Sequence, residues 1–403
     1  MKFPEPFYYS NIRLLWLARF FASAGSFFQF VVIGWLTYEY TQSRFLTSLS
    51  WGAGALASVL SAPIGGFAAD KWERQKVIVY VFLIKSICVF IFAYLVISNN
   101  FNTASIFIFL LSIGFIQSLA APSDFSLIPL LVPSRRNIIF GAYAIVGSAY
   151  FVGHFSIPYF AGLILQVIGP GWTLIGEFIL FLIAVFIYYN IKTIVPQTRV
   201  IKYNLKENYL ELVGYLKTNR LLQGAILLRT TVNILVVPSV HGLLPIYSAD
   251  IFSTGADGYG LLFAILGIGG FFSDFSLSIF VNYVKKGTLL LFYLTFVFVS
   301  MYAFSLSQTL NIGLISLFFL NFGLISTLTI GRSLLGSEVP DKLRGRFGGI
   351  FNLTNVLSVF GALFAGVLAE NYSVVTATQV CCIIVLILVI IIFACFPTLR
   401  RLE

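Results

Sequence analysis

The sequence predicts an all-α membrane protein, with twelve transmembrane helices arranged as two pseudo-symmetric six-helix bundles. Three observations predict it. Charged residues make up 10% of the 403-residue chain and apolar ones 59%, whereas a soluble domain carries roughly 25% charge; the mean hydropathy is +0.95. Apolar runs of 19 residues or more recur along the whole chain, without the dyad alternation of a barrel strand. The basic residues sit in short clusters between those runs. The net charge of +10 therefore marks membrane topology, not a nucleic-acid surface.

The spans run over about 14–38, 47–69, 77–97, 103–130, 138–166, 172–190, 221–248, 258–282, 288–307, 311–335, 346–369 and 374–396. With the amino terminus in the cytoplasm, twenty Lys and Arg fall on the cytoplasmic side and Arg44 alone on the other. That asymmetry places both termini inside, in a multi-pass protein of the cell (inner) membrane. Arg13 and Arg19 interrupt the first run and no small-residue cleavage site follows it, so it is a span and not a cleavable signal.

The first inter-helix break that carries a motif lies at residues 65–76. Gly65 and Gly66 are expected to end the second helix and to let backbones approach. Asp70 follows, beside the cations Lys71, Arg74 and Lys76. Midway, the polar segment 191–220 contains an amphipathic helix at 204–213, with Leu205, Tyr209, Leu212 and Val213 on one side. It divides a bundle at 1–190 from a bundle at 221–403. The halves echo one another: Val132-Pro133-Ser134-Arg135-Arg136 returns, 207 residues on, as Val339-Pro340-Asp341-Lys342-Leu343-Arg344. Repeated sets of spans are the mark of transporters that alternate access around a central site.

The run Gly66-Phe67-Ala68-Ala69-Asp70-Lys71-Trp72-Glu73-Arg74-Gln75-Lys76 resembles the signature loop between spans two and three of the major facilitator superfamily. Asn11 to Arg19 and Gly34 to Glu39 look like the first span of the branch that holds the enterobactin exporter and the macrolide efflux proteins. Val339 to Arg346 is similar to that branch's loop between spans ten and eleven. The resemblance implies the major facilitator fold and a secondary active exporter of a small organic compound; proton coupling is expected because the carboxylates inside the spans can titrate. Gly66, Asp70, Lys71, Arg74 and Lys76 would form its gating motif, with Asp70 and Arg74 latching neighbouring helix ends. Pro158 and Gly162 sit where exporters of this kind place a helix-packing motif. Two departures weaken transfer of the branch's coupling mechanism. Asp124 stands where the branch has Arg, and Ile157-Pro158 stands for Gly-Pro.

Ionisable groups inside spans are expensive unless paired or wetted, so each is a functional candidate. Asp124, on a face with Gln117 and Ala121, and Asp274, on a face with Ser278, are the deepest acids and candidate substrate or proton sites. The rival role for Asp124 is an ion pair with Arg19. Arg19, Ser23, Ser26 and Gln29 form a polar stripe down the first span, expected to face a cavity. Arg229 and Asn233 pair on span seven, and Asn321, Thr329 and Arg332 share a face of span ten. Arg19, Arg229 and Arg332 facing one cavity would suit an anionic, siderophore-like substrate over a cationic drug. His154 and His241 are expected to pack, Lys85 to snorkel to the interface, and Glu39 and Glu177 to be solvated near the outer ends. Close packing is expected along the glycines of spans five and eleven.

Cys88, Cys381, Cys382 and Cys395 lie in apolar runs without metal or redox spacing. No nucleotide-binding Gly-Lys-Ser/Thr loop and no assembled nucleophile is present, so no enzyme, cofactor or metal is expected. The partners expected are a small-molecule substrate, protons and the lipid bilayer, with no nucleic acid, around a monomer. Two alternatives stand beside export. One is a proton symporter importing a nutrient or siderophore; the other is a non-transporting receptor or lipid translocase on the same fold.

Overall fold

The computed structural model describes residues 5–133, 135–193, 214–281, 283–339 and 354–400. Among them there is no strand, and twelve long helices follow one another. The first four are α1 (Ser10–Thr41), α2 (Arg44–Lys71), α3 (Arg74–Ile97) and α4 (Thr103–Leu127). Then come α5 (Ile138–Ile168), α6 (Pro170–Tyr189), α7 (Arg220–His241) and α8 (Ala256–Phe280). The last are α9 (Lys286–Leu306), α10 (Leu310–Glu338), α11 (Thr354–Asn371) and α12 (Val374–Cys395). Eleven are long and apolar enough to cross a bilayer by length and composition; α2, at 28 residues, has the length. The segment expected to form the amphipathic helix at 204–213 lies outside the described residues, as do residues 340–353 and Asn282.

Local chemistry sets the breaks. α5 and α6 are separated by Gly169, whose φ of 80° is open to glycine, and by Pro170, which has no N–H to continue the ladder. Asn102 caps α4 by accepting from the backbone N–H of Ser105, whose hydroxyl answers the Asn102 N–H. Asn219 and Ser373 cap α7 and α12 in the same way, through Leu222 and Thr376. Large apolar side chains such as Leu60, Phe140, Val167 and Ile390 remain exposed on helix faces, as lipid-facing residues do.

The break at 65–76 is shorter than the charge pattern suggests. α2 continues through Lys71 and α3 starts at Arg74, leaving Trp72 and Glu73 as the connection. Gly65 and Gly66 do not end α2; they lie inside it. A Cβ at Gly65 would come within 2.9 Å of the Leu119 backbone on α4, whereas one at Gly66 would meet open space. Alanines and a lysine after the glycines sustain the helix.

The chain divides into two compact units. In the first, α1 and α3 pack against the stretch that α5 and α6 form together, α3 packs against α4, and α1 touches α4. In the second, α7 packs against α11 and α12, α9 against α12 and α10, and α10 touches α7. With α5 and α6 taken as one stretch, and α11 and α12 likewise, adding six to each helix number carries these contacts of the first unit onto contacts of the second. The division does not follow the midpoint strictly: residues 42–52 cluster with the second unit and 255–264 with the first. In the second unit Arg44 pairs with Asp250 at 3.0 Å, and the backbone N–H of Phe45 donates to Glu370 at 2.9 Å. In the first, the Tyr259 hydroxyl donates to the Phe30 carbonyl at 3.2 Å, and Gly162 of α5 lies backbone to backbone with Gly260.

Candidate functional site

The first unit holds two tiers of polar groups, the first half-buried and the second buried. At the first, Arg19 on α1 grips Asp124 on α4. Its Nη2 lies 2.9 Å from Asp124 Oδ2 and from the Asp124 carbonyl, and its Nε donates to Oδ1 at 3.1 Å. The Tyr188 hydroxyl on α6 donates to the same Oδ1 at 3.3 Å. Of the roles expected for Asp124, the ion pair with Arg19 is the one formed. Charge-assisted, forked geometry of this kind fixes three helices at one level.

Seven residues along each of the same three helices stand Ser26, Gln117 and Phe181, a displacement of about 10 Å at helical rise. They surround Lys85 of α3. Its ammonium donates to Gln117 Oε1 at 2.8 Å and to Ser26 Oγ at 3.3 Å, and it lies 4.3 Å from the Phe181 ring centroid. Lys85 is 2% exposed, so it does not snorkel; its donors are answered inside the bundle. Glu177 on α6 is 0% exposed and not solvated, and among the described residues no ion pair joins it to Lys85. Both of its carboxyl oxygens are buried without a hydrogen-bond partner, as is Gln29 Oε1 on α1. Sequence reasoning put Ser26 and Gln29 on a polar stripe and Gln117 on the face of Asp124, but did not bring Lys85 or Glu177 to them. The available signal was an acid and a base inside two different spans of one bundle, a pairing that only tertiary structure brings together.

The second unit has its own polar cluster. Arg229 Nε donates to Thr354 Oγ1 and Nη2 to Asn355 Oδ1, each at 3.1 Å, and Asn233 Nδ2 donates to the same two acceptors at 3.1 Å. Asp274 accepts from Thr329 Oγ1 at 2.9 Å, and Arg332, one turn further along α10, is exposed. Arg229 opens into a small cleft with Thr327 and Gly331, walled by Leu228, Ile330 and Leu334. Arg229 and Asn233 therefore share one cluster in this unit while Asp274 meets Thr329, and in the other unit Arg19 and Asp124 meet while Gln29 lies ten residues further along α1.

The remaining candidates have structural contacts. His154 stacks on Phe27 with centroids 4.5 Å apart, and His241 on Trp51 at 4.8 Å. Arg74 Nη1 donates to the Ser126 carbonyl at 2.8 Å, Lys76 pairs with Glu73 at 3.1 Å, and Lys71 sits 5.5 Å from the Phe67 ring. The side chain of Asp70 lies outside the described residues, so its latch role gains no geometry. Pro158 and Gly162 face α8: a Cβ at Gly260 would strike the Pro158 carbonyl, and one at Gly162 the Ala256 carbonyl. Cys381 and Cys382 are buried, Cys88 is half-buried and Cys395 is exposed.

Eleven helices long and apolar enough to cross a bilayer, with polar groups held between them at two levels, describe a multi-pass membrane protein. The chain belongs to the transmembrane secretion effector family of major facilitator type, whose model matches residues 4–402. It is 25% identical over 378 residues to the enterobactin exporter EntS of Citrobacter koseri, covering 91% of this chain and 87% of that one. EntS of Escherichia coli O1:K1 / APEC is likewise 25% identical over 377 residues, with 91% and 87% covered. Among solved structures, a single-substitution variant of the nucleoside transporter NupG matches with a TM-score of 0.79 at 14% identity, covering 96% of this chain and all of that one. A bacterial homologue of the lysosomal transporter Spinster, inward-facing and unoccupied, matches at 0.74 and 13%, covering 100% and 98%. At those identities the two structures establish the fold alone. The family makes this a transport protein, not an enzyme.

Proposed function

We propose that the chain is a proton-coupled secondary exporter. It moves a small organic compound with anionic character, of the siderophore class, outward by alternating access. The observation that carries the reading is Arg229, buried in the second unit at an apolar cleft whose α10 wall includes Gly331, the neighbour of Arg332. A guanidinium held in a low-dielectric setting favours an anion beside it. Kinship with enterobactin exporters over 91% of the chain supports the same substrate class. The Lys and Arg distribution supports cytoplasmic termini. The chain carries no nucleotide loop, which leaves an ion gradient as the source of energy.

The test is transport of an iron-free catecholate siderophore into everted membrane vesicles. An acidic interior is expected to drive accumulation, and a protonophore to abolish it. Accumulation that ignores the protonophore, or none at all, overturns the reading. Arg332→Gln is expected to raise the half-saturating siderophore concentration by about ten-fold, the equivalent of about 1.4 kcal/mol. An unchanged value would remove the anion-binding role, provided the variant is inserted to the wild-type level.

A further inference from the structure

We propose that Glu177, with Gln29 and Lys85 beside it, is the proton-binding site of this transporter. The inference rests on the export reading above and assigns that reading's proton to a particular carboxyl group. The geometry argues it. Glu177 is fully buried, and neither of its oxygens has a hydrogen-bond donor. A carboxylate ion in such surroundings costs several kcal/mol, whereas a carboxylic acid needs one acceptor for its single O–H.

That acceptor is at hand. A Cβ at Gly25 would meet the Phe181 ring and one at Gly176 the Phe28 ring, so α1 and α6 run antiparallel in this register. Gln29 lies one turn beyond Gly25 and Glu177 one turn before Phe181, which brings the two to one level. Gln29 Oε1 is also buried without a partner. An acid proton on Glu177 and a vacant amide oxygen are complementary, and each satisfies the other.

Lys85 supplies the second state. It now spends its donors on Gln117 and Ser26, and its ammonium lies 4.3 Å from the ring centroid of Phe181, one turn from Glu177 on α6. When Glu177 gives up its proton, the carboxylate is left buried and negative, and the ammonium is the group able to neutralise it. Lys85 then leaves Gln117, the residue on α4 seven positions from Asp124. The reaction is the making and breaking of one O–H bond: the carboxylate takes a proton from water at one membrane face and returns it at the other. Neutral Ser26, Gln29 and Gln117 are what α1 and α4 offer at this level; their nearest charges, Arg19 and Asp124, are two turns off and satisfy each other. α3 adds the Cys88 thiol, one turn from Lys85, and α5 adds His154, which is stacked on Phe27. On α6 the Tyr188 hydroxyl is turned to Asp124.

Infrared difference spectra of the full chain in lipid, recorded across a pH titration without any transported compound, test the site directly. A protonated-carboxyl band is expected that titrates in wild type, vanishes in Glu177→Gln, and survives in Asp274→Asn. In Lys85→Met the band is expected to titrate at a shifted pH. A band unchanged in Glu177→Gln, or unmoved in Lys85→Met, overturns the proposal. Glu177→Asp keeps the group while moving it by one methylene; it is expected to retain a titrating band at altered frequency, and an identical band overturns the assignment. In vesicles, Glu177→Gln is expected to lose accumulation driven by an acidic interior. The infrared result decides the site, and the protonophore result in wild type decides the export reading.

Discussion

A leucine at Gly162 is expected to abolish transport and to lower the yield of folded protein, while a leucine at Gly147 on the same helix is tolerated. The difference lies in what a side chain would meet. At Gly162 the first carbon beyond the backbone runs into the carbonyl of Ala256 and comes within 3.0 Å of the Gly260 Cα. At Gly147 nothing lies within 4 Å. Overpacking a core costs about 1–3 kcal/mol where neighbouring side chains can rotate away. Backbone cannot rotate away, so α5 and the start of α8 would have to separate, and every contact along that seam would weaken with them. Small residues are what allow helices to associate where lipid is as apolar as leucine and no hydrophobic force draws them together. Heating the detergent-solubilised variants and following the monodisperse fraction by size exclusion checks the contrast. Equal loss, or equal tolerance, at the two positions would show that the seam does not hold this bundle.

Much of this architecture was legible in the sequence, because a bilayer leaves few choices. Runs of 19 or more apolar residues must be helices, and their interruptions fall where Gly169-Pro170, Asn102 and Ser373 break or cap them. The break at 65–76 was misjudged in extent because charge marks where a helix leaves lipid, not where it stops being a helix. Ala68, Ala69 and Lys71 carry α2 past the charged residues.

The candidate sites were less legible, and the reason is geometric. A helix's sequence tells which residues share its face, and on that basis Arg229 with Asn233 and Thr329 with Arg332 were found. It says nothing about which face of another helix lies opposite. Lys85 looked like an interfacial lysine until Ser26 and Gln117, from two other helices, were seen to answer its ammonium. Glu177 looked solvated because it lies early in its span. α6 begins at Pro170, so the residue sits two turns inside the helix, and α1 crosses it there. Depth within a span is known from sequence only to a few residues, and at a helix end a few residues separate water from the core.

Asp124→Leu is expected to destabilise the chain more than the double substitution Arg19→Leu with Asp124→Leu. In the native pair each charge is answered, with Arg19 making a forked contact and Tyr188 adding a third donor. Removing the acid alone strands a guanidinium among apolar helices, a change that costs 3–5 kcal/mol in fully buried pairs. Here the two side chains keep 20% and 28% of their exposure, so water softens the penalty to about 2 kcal/mol. Removing both partners strands neither charge, and leucines of similar bulk recover part of the loss through packing. The sign of this coupling separates two roles for the pair. If it serves only to hold α1, α4 and α6 at one level, the double variant should regain both stability and transport. If its charges also take part in moving substrate or protons, stability should return and transport should not. Melting of the purified variants beside siderophore accumulation in vesicles distinguishes these outcomes. A double variant less stable than Asp124→Leu would mean that Arg19 holds the bundle through contacts other than Asp124.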